Sequence, residues 1–222
     1  MNITALRSQM IGCIGPIGNF FARIGLNPNQ ITLLSFVCGI ACATCYMYQM
    51  FLPGSILLAV SAILDLADGN VARKTKCKSD FGAVLDWITD KYVDSLVLLG
   101  IGLSGTAVVS QLVPGPPWVD TATMGLAIIG SLMNTFIKPV AYAEIGYLTK
   151  EDGKISDPLE NIGFFGRPET ILTLIIFGLI NQIWIAVILI AACTNLSALQ
   201  RIIYLARRHE DYKEEEKEKK SS

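Results

Sequence analysis

Between Arg23 and Asp65 the chain carries no charged residue, and only Pro28 and Pro53 punctuate that stretch. Each half is close to the roughly 20 residues that carry a helix across a bilayer. Backbone polar groups inside hydrocarbon must pair within the chain, so only helices and closed barrels span it. A spanning strand needs just about 9–11 residues, so runs of this length point to helices.

Composition agrees. The chain has 222 residues, 52% of them hydrophobic, too apolar for an ordinary soluble domain and short enough for one membrane domain. A net charge of −1 leaves no global basic field for nucleic acid. The single histidine, His209, lies in the polar tail, so a metal site must use oxygen or thiolate ligands. Cys38, Cys42 and Cys45 sit in an apolar run. Cys42-Ala-Thr-Cys45 is formally a C-x-x-C, but it lacks a second ligand pair and reads as small buried residues. The first 24 residues show no cleavable signal-peptide pattern.

Six spans follow, at about residues 31–50, 53–71, 81–104, 121–146, 168–178 and 183–206. Lys and Arg flank alternate connections, and the positive-inside rule then puts both termini in the cytoplasm. The expectation is an all-α integral membrane protein. Residues 1–24 form an interfacial amphipathic helix, residues 25–206 a six-helix bundle, and residues 207–222 a charged tail.

The apolar setting makes one window conspicuous: Asp65-x2-Asp68-Gly69-x2-Ala72-Arg73-x8-Gly82-x3-Asp86-x3-Asp90. Asp65 and Asp68 share a helix face, as do Asp86 and Asp90. The basic connection from Arg73 to Lys78 is short, so the two helices are expected to be antiparallel neighbours whose carboxylates converge near the cytoplasmic surface. Carboxylates in a membrane are costly and mark function. Four together call for a strong compensating charge, and oxygen ligands suit Mg²⁺ or Mn²⁺. Two such ions about 4 Å apart would clamp both oxygens of a phosphoryl displacement. Gly69, Ala72 and Gly82 let a ligand approach the backbone. Arg73 offers a bidentate phosphate contact. Asp94 continues the stripe one turn deeper, where it supports the site or pairs with Lys91 or another helix.

This window resembles the signature of the CDP-alcohol phosphotransferase family, and every specified position of that signature is present. Asn27-Pro-Asn-Gln-Ile-Thr32 is similar to the family's sequence at the start of its first span. The resemblance implies transfer of a lipid phosphoryl moiety from a CDP-linked lipid to a small alcohol, releasing CMP, with two divalent metal ions per site. It implies that Asp65, Asp68, Asp86 and Asp90 are metal ligands and that Asp90 is also the base for the acceptor hydroxyl. Gly69, Ala72, Arg73 and Gly82 would line the CDP site, with Pro28, Asn29 and Thr32 beside it. Family members are commonly homodimers. The lipid would be diacylglycerol or archaeol.

A phosphorylated acceptor needs cations nearby, and Lys138 and Arg167 stand at the cytoplasmic ends of spans four and five. Gly166-Arg-Pro-Glu169 resembles part of a segment found in the inositol-phosphate branch, with Thr170 where that branch has Arg. An Ala-Arg-Ala-Glu-like segment of the same branch reads Ala141-Tyr-Ala-Glu144. The expected acceptor is a phosphorylated polyol, inositol phosphate ahead of glycerol phosphate. The alternatives are a divalent-cation transporter built on the aspartate cluster, or a non-catalytic scaffold that keeps the motif.

Overall fold

The computed structural model describes residues 21, 24–74, 79–145, 150–151, 154–155, 159 and 162–221; side chains of residues 73, 74, 80, 145, 150, 151, 154, 155 and 208–221 are outside the description. Six long helices carry the fold: α1 (Pro28–Met47), α2 (Phe51–Lys74), α3 (Asp80–Leu103), α4 (Trp118–Ile145), α5 (Arg167–Leu179) and α6 (Ile183–Ser221). Four of them are long and apolar enough to cross a membrane: Pro28–Met47, Phe51–Ala72, Trp118–Glu144 and Ile183–Arg207. α3 carries Asp86, Asp90, Lys91 and Asp94, and α5 has 13 residues, about 20 Å of helix. The polar connection after α4 holds a small addition to the all-α expectation. There β1 (Lys150–Glu151) and β2 (Lys154–Ile155) pair antiparallel, Lys150 opposite Ile155. The interfacial helix expected over residues 1–24 falls outside the described residues, apart from residues 21 and 24. The tail begins as helix: α6 runs unbroken past Arg207 to Ser221.

The outer surface is apolar. On α4, Leu126, Ile129, Met133, Phe136 and Val140 are all exposed, and their spacing puts them on one stripe. α1 shows Leu33, Leu34, Val37 and Ile40, and α6 shows Leu196, Leu199, Ile202 and Ile203. Apolar stripes of this extent on helix after helix suit a lipid surround.

The helices close into a ring. α1 packs against α2 and α3, α2 against α5, α5 against α6, α6 against α4, and α4 against α3. The expectation that α2 and α3 are antiparallel neighbours with converging carboxylates is met at their charged ends, where Asp65, Asp68 and Asp86 come together, although the two helices share little backbone contact along their length. Both lean on α1 and do not pack along one another, so their acidic faces look into the ring.

Close approaches fix the ring. A side chain at Gly100 of α3 would collide with the Ala43 carbonyl of α1, so this crossing is backbone against backbone. Such small-residue crossings are a main source of helix association in membranes. Two tight reversals lie at the end remote from the aspartates. Gln49 and Asn181 each adopt positive φ, +58° in both cases. After α1, Gln49 N–H bonds Tyr46 O at 3.0 Å and Met50 N–H bonds Cys45 O at 2.8 Å. After α5, Asn181 N–H bonds Gly178 O at 3.1 Å and Gln182 N–H bonds Phe177 O at 2.7 Å. Both are Schellman caps, which satisfy the last carbonyls and let the next helix start at once.

Gly100→Val should lower the stability of the detergent-solubilised protein by about 2 kcal/mol, the scale of core overpacking. Gly125→Val, where a side chain meets nothing within 4 Å, should leave it nearly unchanged. Thermal melts of the two variants check this; equal melting temperatures would refute the close crossing.

Candidate active site

Three helix starts build the charged end of the ring. α1 begins where Asn27 N–H donates to Gln30 Oε1 at 2.9 Å, with Pro28 as the first helical residue. Thr32 follows one turn later, and its hydroxyl donates to Asp68 Oδ2 at 2.5 Å. α3 begins at Ser79, whose Oγ accepts the Gly82 N–H at 3.0 Å. A side chain at Gly82 would come within 3.1 Å of Asn29 Oδ1, so glycine there seats the start of α3 against α1. α5 begins with Gly166 N–H donating to Glu169 Oε2 at 2.9 Å and Pro168 in its first turn.

On this frame Asp65, Asp68 and Asp86 each offer a carboxylate oxygen, all within 4.8 Å of one another. Any pair of charges at that separation repels by at least about 3.5 kcal/mol at an effective dielectric of about 20. Asp68 is buried and Asp65 and Asp86 are half-buried, so water screens them only in part. An all-oxygen group of this kind fits a divalent cation such as Mg²⁺ or Mn²⁺. Gly69, one residue beyond Asp68, has nothing within 4 Å of where a side chain would begin, so open space lies beside the acidic group.

Asp90 is drawn elsewhere. Arg167, the first residue of α5, reaches into the ring and binds three carboxylates: Asp65 through Nη1 at 2.9 Å, Asp90 through Nη2 at 2.7 Å and Asp94 through Nε at 3.3 Å. Asp94 also receives Lys91 Nζ at 2.8 Å, and Lys91 reaches Thr135 Oγ1 of α4 at 3.1 Å. Asp94 thus takes the pairing that one sequence alternative foresaw, with Lys91 on its own helix and with Arg167 on another. Lys138 is half-buried one turn beyond Thr135, on the same side of α4. Pro28 and Ala72 are half-buried and Asn29 is exposed at this end. Arg73 lies in the last turn of α2, and its side chain is outside the description.

A second polar group holds the segment that delivers Arg167, and sequence reasoning missed it. Asn134 Nδ2 donates to Phe165 O at 2.7 Å, Ser197 Oγ accepts the Phe165 N–H at 2.9 Å, and Arg201 Nε donates to Ile162 O at 2.8 Å. Arg201 Nη1 also donates to Asn134 Oδ1 at 2.5 Å and to the Asn134 carbonyl. The available signal was Arg201 inside the last expected span, before the charged tail begins. An Arg in such a place requires acceptors.

The sequence profile described as CDP-alcohol phosphatidyltransferase matches residues 26–193. The chain belongs to this family. It is 31% identical over 208 residues to the archaetidylinositol phosphate synthase of Pyrococcus horikoshii, covering 94% of this chain and 98% of that protein. Two crystal structures of Mycobacterium tuberculosis phosphatidylinositol phosphate synthase share the fold. One, with CDP-DAG bound, has a TM-score of 0.67 at 21% identity, covering 86% of this chain and 92% of that one. The other, in complex with manganese and citrate, has a TM-score of 0.68 at 20% identity, covering 86% and 88%. The protein is thus a CDP-alcohol phosphotransferase, a membrane transferase of phospholipid biosynthesis.

Thr32→Val should cost about 1.5–3 kcal/mol, the range for a hydrogen bond to a charged group. Thr32→Ser should recover most of it. Unfolding measured with a chelator present checks both; a wild-type value for Thr32→Val would show that the hydroxyl does not restrain Asp68.

Proposed function

We propose that this chain transfers a lipid phosphoryl group from a CDP-linked lipid to inositol phosphate, releasing CMP, with divalent metal at the aspartate group. The observation that carries the reading is the convergence of Asp65, Asp68 and Asp86 beside the open space at Gly69. Family membership supports the reaction class. The name of the Pyrococcus relative, which joins an archaetidyl lipid to inositol phosphate, supports that acceptor and favours CDP-archaeol over CDP-diacylglycerol. Glycerol phosphate is the next candidate acceptor.

In this reading Asp65, Asp68, Asp86 and Asp90 hold two divalent ions, Mg²⁺ or Mn²⁺. Bound there, the ions supply charge neutralisation for the diphosphate and Lewis acidity toward the transferring phosphoryl oxygens. Pro28, Asn29, Thr32, Gly69, Ala72, Arg73 and Gly82 line the CDP site, with Arg73 on a phosphate oxygen. Lys138 and Arg167 receive the acceptor's phosphate. The acceptor hydroxyl gives its proton to an Asp90 carboxylate oxygen as its own oxygen bonds to the lipid-bearing phosphorus. The bond from that phosphorus to the CMP oxygen breaks, and CMP leaves with the electron pair.

The wider expectations belong to the same proposal. All six helices span the bilayer, α5 as the shortest, with an interfacial helix over residues 1–24 and a charged tail over residues 207–222. The motif and both termini face the cytoplasm, on the charge asymmetry of the connections. The protein acts as a homodimer, on the family resemblance alone. A cation route fits less well. At the end remote from the motif, the Asp120 carboxylate accepts the Val108 and Ser110 N–H groups at 3.1 and 3.0 Å, a capping role rather than an ion station.

CMP release by the purified protein, supplied with Mg²⁺ or Mn²⁺, CDP-archaeol and one acceptor at a time, tests the proposal. Release should require inositol phosphate and metal. Asp90→Asn should lower turnover by about 10²-fold or more, as expected for loss of a general base, while donor binding persists. No metal-dependent release with any acceptor and either lipid would sink the reading.

A further inference from the structure

Arg167 occupies a place that helices disfavour for cations. It is the first residue of α5, at the positive end of the helix dipole, and its side chain is only 21% exposed. Its three carboxylate partners compensate, but they are not equivalent. Asp94 is 2% exposed at its side chain and is also gripped by Lys91, so it is a fixed anchor. Asp65 and Asp90 are 15% and 18% exposed and belong to the acidic motif. Asp65 moreover has an oxygen within 4.8 Å of ligand oxygens on both Asp68 and Asp86. One carboxylate therefore neighbours two cation positions, the guanidinium and the centre of the three aspartates.

A doubly charged ion entering that centre draws on the charge of Asp65 and repels the guanidinium across it. Like charges flanking a shared carboxylate compete for it. The Nη groups contact Asp65 and Asp90, whereas Nε contacts the anchor Asp94. The guanidinium can thus lose its outer contacts and keep its inner one.

We propose that Arg167 is a displaceable counter-ion: it neutralises Asp65 and Asp90 while the aspartate group holds no divalent ion, and ion loading releases its Nη groups from them while Asp94 retains Nε. This rests on the metal-dependent transfer proposed above. It adds an order of events. Asp90 becomes free to accept a proton, and two parallel N–H donors become free for a phosphate, only after the ion is in place. Arg167 is then a positioning residue for the site before it is a phosphate ligand. A static role makes the opposite prediction, because an arginine that merely holds the carboxylates in position would help them bind metal.

The test is Mn²⁺ affinity, read from free Mn²⁺ by electron paramagnetic resonance on the full-length protein in detergent, without donor or acceptor. Arg167→Gln should bind Mn²⁺ about tenfold more tightly than wild type, a coupling of ordinary size between two sites. Arg167→Lys keeps the competing charge and should stay within about twofold of wild type. Weaker or unchanged binding in Arg167→Gln overturns the inference, as does equal tightening in both variants. The wild type supplies a readout that needs no folded glutamine variant. With arginine-selective ¹⁵N labelling, saturating Mg²⁺ should speed solvent exchange of the Arg167 Nη protons and leave its Nε proton protected. Unchanged Nη exchange overturns the proposal. Wild-type protein that binds no Mn²⁺ would remove the metal-dependent reading itself, and this inference with it. Binding by wild type that Arg167→Gln does not tighten removes only the inference.

Discussion

The guanidinium of Arg167 is the interaction on which the charged end of this bundle depends. It reaches Asp65 across 102 residues of sequence and Asp94 across 73, tying α5 to both aspartate-bearing helices. Without a cation in that position, the carboxylates of α2 and α3 would face one another inside a mostly apolar ring. A buried ion network of this kind is weak support for stability, since desolvation consumes much of the Coulomb gain. What it fixes is arrangement. With no divalent ion at the aspartates, it links the first residue of α5 to Asp65 of α2 and to Asp90 and Asp94 of α3.

Placing an arginine at a helix start takes further structure. Asn134 of α4 and Ser197 and Arg201 of α6 hold the backbone of Ile162 and Phe165, just ahead of α5. Through the segment they hold, they bring α4 and α6 into the positioning of a side chain on α5. The ring order follows the same logic: α1 stands behind both acidic helices and keeps them from packing on one another. Thr32 and Asn29, both on α1, meet Asp68 and the Gly82 turn, so the spacer helix also sets the height of α2 and α3.

Much of this was legible in the sequence, for a definite reason. Asp65 and Asp68, and Asp86 and Asp90, are placed by helical periodicity alone, which is local and needs no knowledge of tertiary contacts. The apolar runs located the helices within a few residues, except that α6 continues through the charged tail to Ser221. The short connection correctly made α2 and α3 neighbours at the site, but it did not reveal that α1 carries most of the packing of both. Chain proximity at one end does not decide which faces meet, and two acidic faces do not pack without a counter-ion between them. The partnership of Arg167 with Asp65 and Asp90 was equally hidden. A cation near a span boundary reads first as a snorkelling residue or a ligand contact, and only the packing of α5 on α2 turns it inward. The roles of Arg201 and Asn134 were hidden because the sequence does not show which loop backbone they bind.

The two ends of the bundle divide the work. The remote end is held by contacts that exchange no partners: two Schellman reversals, the Tyr46 hydroxyl 2.8 Å from Ser55 Oγ, and the Asp120 cap on the Val108 and Ser110 N–H groups. The site end concentrates charge and leaves open space at Gly69. Carboxylates mounted on helices converge usefully only if the helix axes are held to within about half an ångström. Charged groups that must exchange partners during a reaction are poor candidates for that duty, since each exchange would let the frame move. Rigidity supplied from the remote end, and by backbone crossings such as Gly100 on Ala43, lets the site end rearrange without disturbing the ring that aims it.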